Sequence, residues 1–257
     1  LSSMQVPLID DNNGFPPVSE CSEAGILAVG GNLNAPLLLS AYEKGIFPWY
    51  NPGEMIMWWA PKERGIMPLD GLIKHKSMRN ELNRNRYKVT YDTCFDQVIR
   101  ECAQDPRGAT KGTEIGTWIG EDMINAYTAL HKLGMAHSVE VWLDNELAGG
   151  LYGVSIGRMF FGESMFSKST NASKVGLFHL VDRLKQWGFG PIDCQIMNSH
   201  IESLGAIPIS REEFGIILNK YLSDYFLQIR NTKLLFFLFA LILKICFFRN
   251  LLLLLFH

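Results

Sequence analysis

Between Ser138 and Phe166 three strand-like runs follow one another: Ser138–Leu143, Leu147–Ile156 and Met159–Phe166. Only Asp144-Asn145 and Ile156-Gly157-Arg158 separate them. Connections that short join antiparallel neighbours, so the centre of the chain reads as a β-meander, and this limits the fold more than any other stretch. Upstream lie a strand from Tyr87 to Thr90, a helix from Phe95 to Ala103, a polar, Gly-rich loop from Asp105 to Gly116 and a helix from Glu121 to Leu133. Downstream the pattern gives a helix from Ser173 to Trp187, a strand from Ile192 to Ile196, and helices near Ser199 to Leu204 and Arg211 to Tyr221. Helices before and after a meander, with one late strand, make an α+β order in which helices cover a mainly antiparallel sheet. That order is compatible with the GNAT acyltransferase fold, which alone says little about substrate.

The ends of the chain differ from this centre. Residues 1–65 are rich in Pro, Gly and Asn and read as a small, loop-rich N-terminal domain. A helix from Ala35 to Lys44 runs into the aromatic stretch Gly45-Ile-Phe-Pro-Trp-Tyr-Asn-Pro-Gly53. Pro48, Pro52 and Pro61 each remove a donor and restrict the preceding residue, so neither a long helix nor a central strand is expected here. Trp49, Trp58 and Trp59 are expected to pin this module to its neighbour, residues 66–222. A tail, residues 223–257, contains an unbroken apolar run from Leu234 to Leu243 and a second from Ile245 to Phe256 broken only by Arg249 and Asn250. Roughly twenty Leu, Ile and Phe at about −0.3 to −0.6 kcal/mol outweigh basic residues at about +3, so a membrane helix is energetically open. The residue types, however, are nearly all encoded by codons of A and T alone. The tail is therefore read as translated from a frameshift or a non-coding stretch, and a membrane association as depending on its being genuine.

Composition excludes several classes. With 257 residues, 47% of them apolar and 19% charged, the chain has enough material for a core and is not globally disordered. A net charge of −2 excludes a globally basic nucleic-acid binder. The segment from Lys62 to Lys88 nevertheless carries eight basic residues against Glu63, Asp70 and Glu81, a local +5 that leaves −7 for the rest. A single patch of this kind suits contact with a phosphate backbone. Five cysteines without a C-x-x-C pair suit reduced, buried thiols, and neither they nor the six scattered histidines have metal-ligand spacing, so no metal is expected. No basic-then-apolar leader opens the chain, which reads as cytoplasmic; Leu1 before Met4 suggests an unusual start or a truncated frame.

Eight ordered segments then carry a resemblance: Gly45-Ile-Phe-Pro-Trp-Tyr50, Met57-Trp-Trp-Ala-Pro61, Gly116-Thr-Trp-Ile119, His137-Ser-Val-Glu-Val-Trp142, Gly149-Gly-Leu-Tyr-Gly153, Phe161-Gly-Glu-Ser-Met-Phe-Ser167, Asn171-Ala-Ser-Lys174, and Ile192-Asp-Cys-Gln195 with Ser203-Leu-Gly-Ala206. From roughly Gly25 to Tyr221 the chain resembles the leucyl/phenylalanyl-tRNA–protein transferases. The resemblance implies a small N-terminal domain packed on a GNAT-like catalytic domain, with the tRNA 3′ end entering a cleft between them. It implies leucyl- or phenylalanyl-tRNA as donor, with methionine a further side chain to test. The acceptor would be a protein beginning with Arg or Lys, and the product would carry an N-terminal degradation signal. No cofactor is expected, and a monomer is.

Aminolysis of a ribose ester needs chiefly positioning. The attacking α-amine, with a reference pKa of about 7.7 to 8.0, must still lose a proton, so an acceptor beside it is the minimum equipment. Asp193 and Gln195 lie two apart on an expected strand and would share a face. The resemblance makes them catalytic, the Gln195 carbonyl meeting the amine and Asp193 orienting and polarising it; read alone, they would be a loop-capping Asp and a solvent-facing Gln. Asn198 reads as a helix cap and, by resemblance, a substrate contact. Glu163, isolated in an apolar run, needs a partner, either in the cleft or as a salt bridge with an internal Lys or Arg. The resemblance implies a donor pocket from Met165, Phe161, Leu151, Leu177 and Leu180, which by spacing alone read as core; Leu151 and Leu180 replace the family's more usual Met and Phe. Tyr42, Trp49 and Trp118 match cleft positions where rings could stack on the terminal adenosine, worth about 1–3 kcal/mol per base. Lys74, Lys76, Arg84 and Arg86 are the candidates for the tRNA backbone.

Two rival readings compete with this one. An acetyl-CoA-dependent N-acetyltransferase would need a glycine-paired phosphate loop where Ser167-Lys-Ser-Thr-Asn-Ala-Ser-Lys-Val-Gly176 stands. A membrane-tethered tRNA- or peptide-binding protein without activity rests on the tail alone. Gly162-Glu-Ser-Met-Phe166 is no nucleophile elbow, since its fifth residue is Phe.

Overall fold

The computed structural model describes residues 6–10, 14–104 and 118–223, so the expectations for the loop from Asp105 to Gly116 and for the tail lie outside the described residues, except at position 223. Among the described residues no helix is long and apolar enough to cross a membrane.

The N-terminal part forms a four-stranded sheet in the order β1 (Leu8–Ile9), β2 (Ile26–Gly30), β4 (Met57–Trp59), β3 (Phe47–Pro48). Helix α1 (Ala35–Glu43) starts where the Asn34 side chain accepts the Leu37 N–H at 2.9 Å. The prolines do not keep a central strand out of this region. β4 pairs with β2 on one side and β3 on the other, and Pro52 and Pro61 merely bound it at three residues. Trp58 is fully buried and its Nε1 donates to the Gly30 carbonyl at 2.9 Å, while Trp59 Nε1 donates to the Trp49 carbonyl at 2.6 Å. These indoles therefore hydrogen-bond within the small sheet and its loops.

The second sheet has seven strands: β5 (Glu63–Met67), β6 (Lys88–Tyr91), β7 (Ala136–Leu143), β8 (Glu146–Ile156), β9 (Met159–Ser167), β10 (Ile192–Gln195) and β11 (Ile207–Ser210). Their order is β11-β5-β10-β9-β8-β7-β6, and only the β10–β9 pair is parallel. Asp144 and Asn145, with φ of 51° and 66°, make the tight turn between β7 and β8. The boundary drawn after residue 65 falls inside β5. The sequence pattern predicts no strand at β5 or β11 and no helix α2 (Lys76–Asn83): a glycine interrupts β5, a proline interrupts β11, and α2 is mostly polar.

Helices α3 (Phe95–Gln104) and α4 (Glu121–Lys132) pack against the meander, α3 on β8 and β9 and α4 on β7. Phe95, Val98, Tyr127, Tyr152 and Phe161 share one buried cluster there with Tyr42 of α1 and Phe214 of α7 (211–223). Helix α5 (Ala172–Gln186) covers the other face, where Leu177, Leu180 and Leu184 meet Val139, Leu151 and Phe160. The neighbours Leu151 and Tyr152 thus serve opposite faces, as alternation along a strand requires. The mixed α+β class, with a mainly antiparallel sheet covered by helices, is as the sequence indicated.

Candidate active site

Two β-bulges shape the site. In the β8–β9 register Gly153 faces Gly162 and Tyr152 faces Ser164, which leaves Glu163 as an extra, unpaired residue. The bulge switches the strand's parity, so Phe161 joins the cluster around Tyr42 while Met165 joins the one around Leu151. Opposite it only glycine fits, since a Cβ on Gly153 would stand 2.3 Å from the Phe161 carbonyl oxygen. In the β10–β5 register Asp193 faces Ile66 and Gln195 faces Gly65, leaving Cys194 as the extra residue, with Gln195 at φ 55°.

Beyond Ile192↔Phe160 and Asp193↔Phe161, β10 and β9 no longer pair. A cavity of about 610 Å³ opens there, lined by Glu163, Ser164 and Met165 of β9 and by Cys194 and Gln195 of β10. It reaches both faces of the sheet, with Leu151, Leu177 and Leu180 to one side and Tyr152 to the other. Asn198, which precedes α6 (Ser199–Ser203), sits at its edge, its Oδ1 accepting the N–H groups of His200 and Ile201 at 3.0 Å each.

Glu163 has phenols for partners rather than an internal Lys or Arg. Tyr42 donates to Oε1 at 2.7 Å and Tyr127 to Oε2 at 3.1 Å, the two hydroxyls also bond one another, and Gln195 Nε2 donates to Oε1 at 3.3 Å. Burial pushes the Glu163 carboxyl up to about 7; the two tyrosine hydrogen bonds oppose the rise, as does Arg64, and the Asp193 charge adds to it. A proton count agrees. Three close oxygen contacts link Glu163, Tyr42 and Tyr127, and two hydroxyl protons satisfy only two of them unless the carboxyl carries a third. Burial and the Glu163 charge hold both tyrosines well above 10, so they remain donors.

Asp193 is fully buried and does not line the cavity. Arg64, 1% exposed, grips it with Nε to Oδ1 at 2.8 Å and Nη2 to Oδ2 at 2.6 Å, and its Nη1 donates to the Gly45 carbonyl at 3.0 Å. Asp193 Oδ1 also accepts the Gln195 backbone N–H at 3.0 Å. Strand alternation does not carry across the bulge at Cys194, so what couples the two residues is this main-chain bond. Arg64, counted from sequence within the basic run, is therefore no part of a basic surface.

Of the remaining candidates, Leu151, Met165, Leu177 and Leu180 line the cavity. Tyr42 and Phe161 do not: both are fully buried, their rings 5.1 Å apart behind Glu163, and neither offers a face for stacking. Trp49, half-buried with its ring 5.3 Å from that of Trp59, and Trp118, also half-buried, stand outside this cavity. Lys74, Lys76, Arg84 and Arg86 are exposed on or beside α2. Arg86 and Arg84, however, pair with the buried Glu81 at 2.5 and 3.6 Å, and Lys74 lies over the Phe178 ring at 5.2 Å. Sequence reasoning missed Tyr127, whose place on the apolar face of α4 reads as core. It also missed Tyr152, which lines the cavity and whose buried hydroxyl has no hydrogen-bond partner among the described residues.

A meander, a helix and a parallel strand, with a cavity where that strand leaves the sheet, define a mixed α+β domain. In the segment where an acetyl-CoA enzyme would offer amides to phosphate, Ser167 Oγ takes the Ser173 N–H at 3.2 Å. The model of the family described as leucyl/phenylalanyl-tRNA protein transferase matches residues 66–219, and that of the family's N-terminal domain matches residues 31–62. A leucyl/phenylalanyl-tRNA–protein transferase of Nitrosomonas europaea is 49% identical over 208 residues, covering 80% of this chain and 86% of the relative. One of Flavobacterium johnsoniae is 52% identical over 204 residues, covering 79% and 94%. Among solved structures, FemX is similar at 11% identity and a TM-score of 0.42, over 68% of this chain and 66% of its own. The chain belongs to the leucyl/phenylalanyl-tRNA–protein transferase family.

Proposed function

We propose that this chain moves leucine or phenylalanine, and methionine as a further donor side chain, from aminoacyl-tRNA to the α-amine of proteins beginning with Arg or Lys. The product then carries an N-terminal degradation signal. The observation that carries this reading is one cavity with two characters: an apolar wall of Leu151, Met165, Leu177 and Leu180 beside the polar pair Glu163 and Gln195. The wall takes the donor's side chain and excludes water from the ester.

Gln195 spends its amide N–H on Glu163, which leaves its carbonyl oxygen as an acceptor for the attacking amine. Nitrogen attacks the ester carbonyl carbon, the C–N bond forms, and collapse of the tetrahedral intermediate breaks the bond to the ribose oxygen. That oxygen leaves as the 3′-hydroxyl with one proton, and the proton lost by nitrogen balances it. Glu163, titrating near neutrality beside Gln195, is suited to hold that proton in transit. Asp193 acts through Gln195.

Lys74 and Lys76 serve the tRNA backbone, with Arg84 and Arg86 contributing what Glu81 leaves free, and the half-buried faces of Trp49 and Trp118 meet the terminal adenosine. We place the activity in the cytoplasm, in a monomer without cofactor, built from a small N-terminal unit and the larger sheet domain. Transfer of radiolabelled leucine from leucyl-tRNA to a peptide beginning with Arg tests the reading. No label in that peptide, or equal label in one beginning with Ala, would refute it.

A further inference from the structure

We infer that Arg64 is a positioning residue for the transfer: it fixes the buried Asp193 carboxylate, which in turn locks Gln195 in the left-handed conformation that aims its carboxamide into the cavity. The inference rests on the reading of Gln195 as the group that meets the attacking amine.

Arg64 is held more completely than a casual ion pair requires. Three of its N–H groups are spent on two Asp193 oxygens and the Gly45 carbonyl, and its guanidinium lies 4.7 Å from the ring centre of Phe47 and 4.6 Å from that of Phe214. The planar fork is thus fixed in position and in tilt by β3, by the turn after α1 and by α7. A buried pair of this kind is poor evidence of a stability device, because apolar residues of similar volume often stabilise as well or better. What the pair does accomplish is visible at Asp193 Oδ1, which accepts both Arg64 Nε and the Gln195 N–H.

Gln195 needs that anchor. At φ 55° a side chain other than glycine is in a costly region that persists only where its surroundings enforce it. The bulge at Cys194 shifts the register at this end of the strand, and although Gln195 still faces Gly65, its N–H is taken by the Asp193 carboxylate. Arg64 does not line the cavity and so acts through Asp193.

The test combines a double-mutant cycle with amide exchange. Arg64→Lys keeps the charge but loses the fork. It is expected to lower kcat about 100-fold at saturating leucyl-tRNA and Arg-peptide, the cost of a small displacement of a reacting group, with KM for leucyl-tRNA nearly unchanged. In an Asp193→Asn background the same substitution should change kcat by less than about threefold, because the link it acts through is already cut. Arg64→Met with Asp193→Leu, which replaces the pair by apolar groups, should fold and bind leucyl-tRNA yet turn over no faster than Asp193→Asn.

Hydrogen exchange of the Gln195 amide supplies a readout independent of transfer: protected in the wild type, it should exchange faster in Arg64→Lys. A kcat for Arg64→Lys within about threefold of wild type, or losses that multiply in the double variant, would overturn the inference. So would unchanged protection of that amide. If the wild type itself transfers nothing, the functional reading fails, and the exchange measurement alone decides whether Arg64 positions Gln195.

Discussion

Replacing Glu163 by Gln should make the protein's stability respond differently to pH, in a direction the site dictates. In the folded chain the carboxyl is pushed up to about 7 from an ordinary 4.5, chiefly by burial. The folded state therefore holds a proton that the unfolded state releases. Stability from that proton is complete below about 4.5 and is lost as pH climbs through 7. A rise of 2.5 at about 1.4 kcal/mol per pH unit is worth about 3 kcal/mol, an upper figure because Glu163 lines the cavity and is only partly buried. A glutamine has no proton to lose, while its amide can still donate and accept among Tyr42, Tyr127 and Gln195. Urea unfolding of wild type and Glu163→Gln from pH 5 to 8 should show the wild type losing about 1.5 to 3 kcal/mol relative to the variant, other groups cancelling in the difference. A difference constant with pH, or a wild type that gains on the variant as pH rises, would refute the argument that desolvation governs this carboxyl.

The bulge at Glu163 depends on Gly153, so Gly153→Ala should destabilise by at least about 1–3 kcal/mol in urea melts, because the new methyl meets a backbone oxygen that cannot move aside. Lys76 makes no ion pair or ring contact among the described residues, and Lys76→Glu should flatten the log–log salt dependence of tRNA binding by about 0.7 to 0.9 per lost phosphate contact. Arg86→Glu, by contrast, leaves the buried Glu81 beside a like charge and should be visible first as a lower melting temperature. Leu180→Trp should fill part of the apolar wall and lower kcat/KM for phenylalanyl-tRNA more than for leucyl-tRNA, as competition between the two donors would show.

Much of the fold was written in local pattern. The meander follows from turn residues that leave no room for a crossover, and α3, α4 and α5 follow from apolar residues at helical spacing over ten or more positions. The strands β5 and β11 could not be read in this way. Their residues, Glu63-Arg-Gly-Ile-Met67 and Ile207-Pro-Ile-Ser210, set charge, glycine or proline among few apolar positions, and β5 becomes a central strand only because β10 and β11 pair on either side of it. Of the residues singled out from the sequence, Glu163, Gln195, Asn198, Leu151, Met165, Leu177 and Leu180 line one cavity, whereas Asp193, Tyr42 and Phe161 do not.

The sequence by itself determined which residue types are present and which short segments they occupy, since those depend on neighbours along the chain. Only the tertiary structure decided their state. A bulge moves a strand's register by one residue and so reassigns each later side chain to the other face; whether it forms depends on the partner strand, here on Gly153 and Gly65. Arg64, counted as surface charge within a basic run, is buried because the carboxylate 129 positions further on takes its fork. Glu163 titrates near 7 because burial among elements distant in sequence outweighs the hydrogen bonds from Tyr42 and Tyr127 that favour its charge. Burial and charge pairing are sums over atoms distant in sequence, and no stretch of the chain read alone contains them.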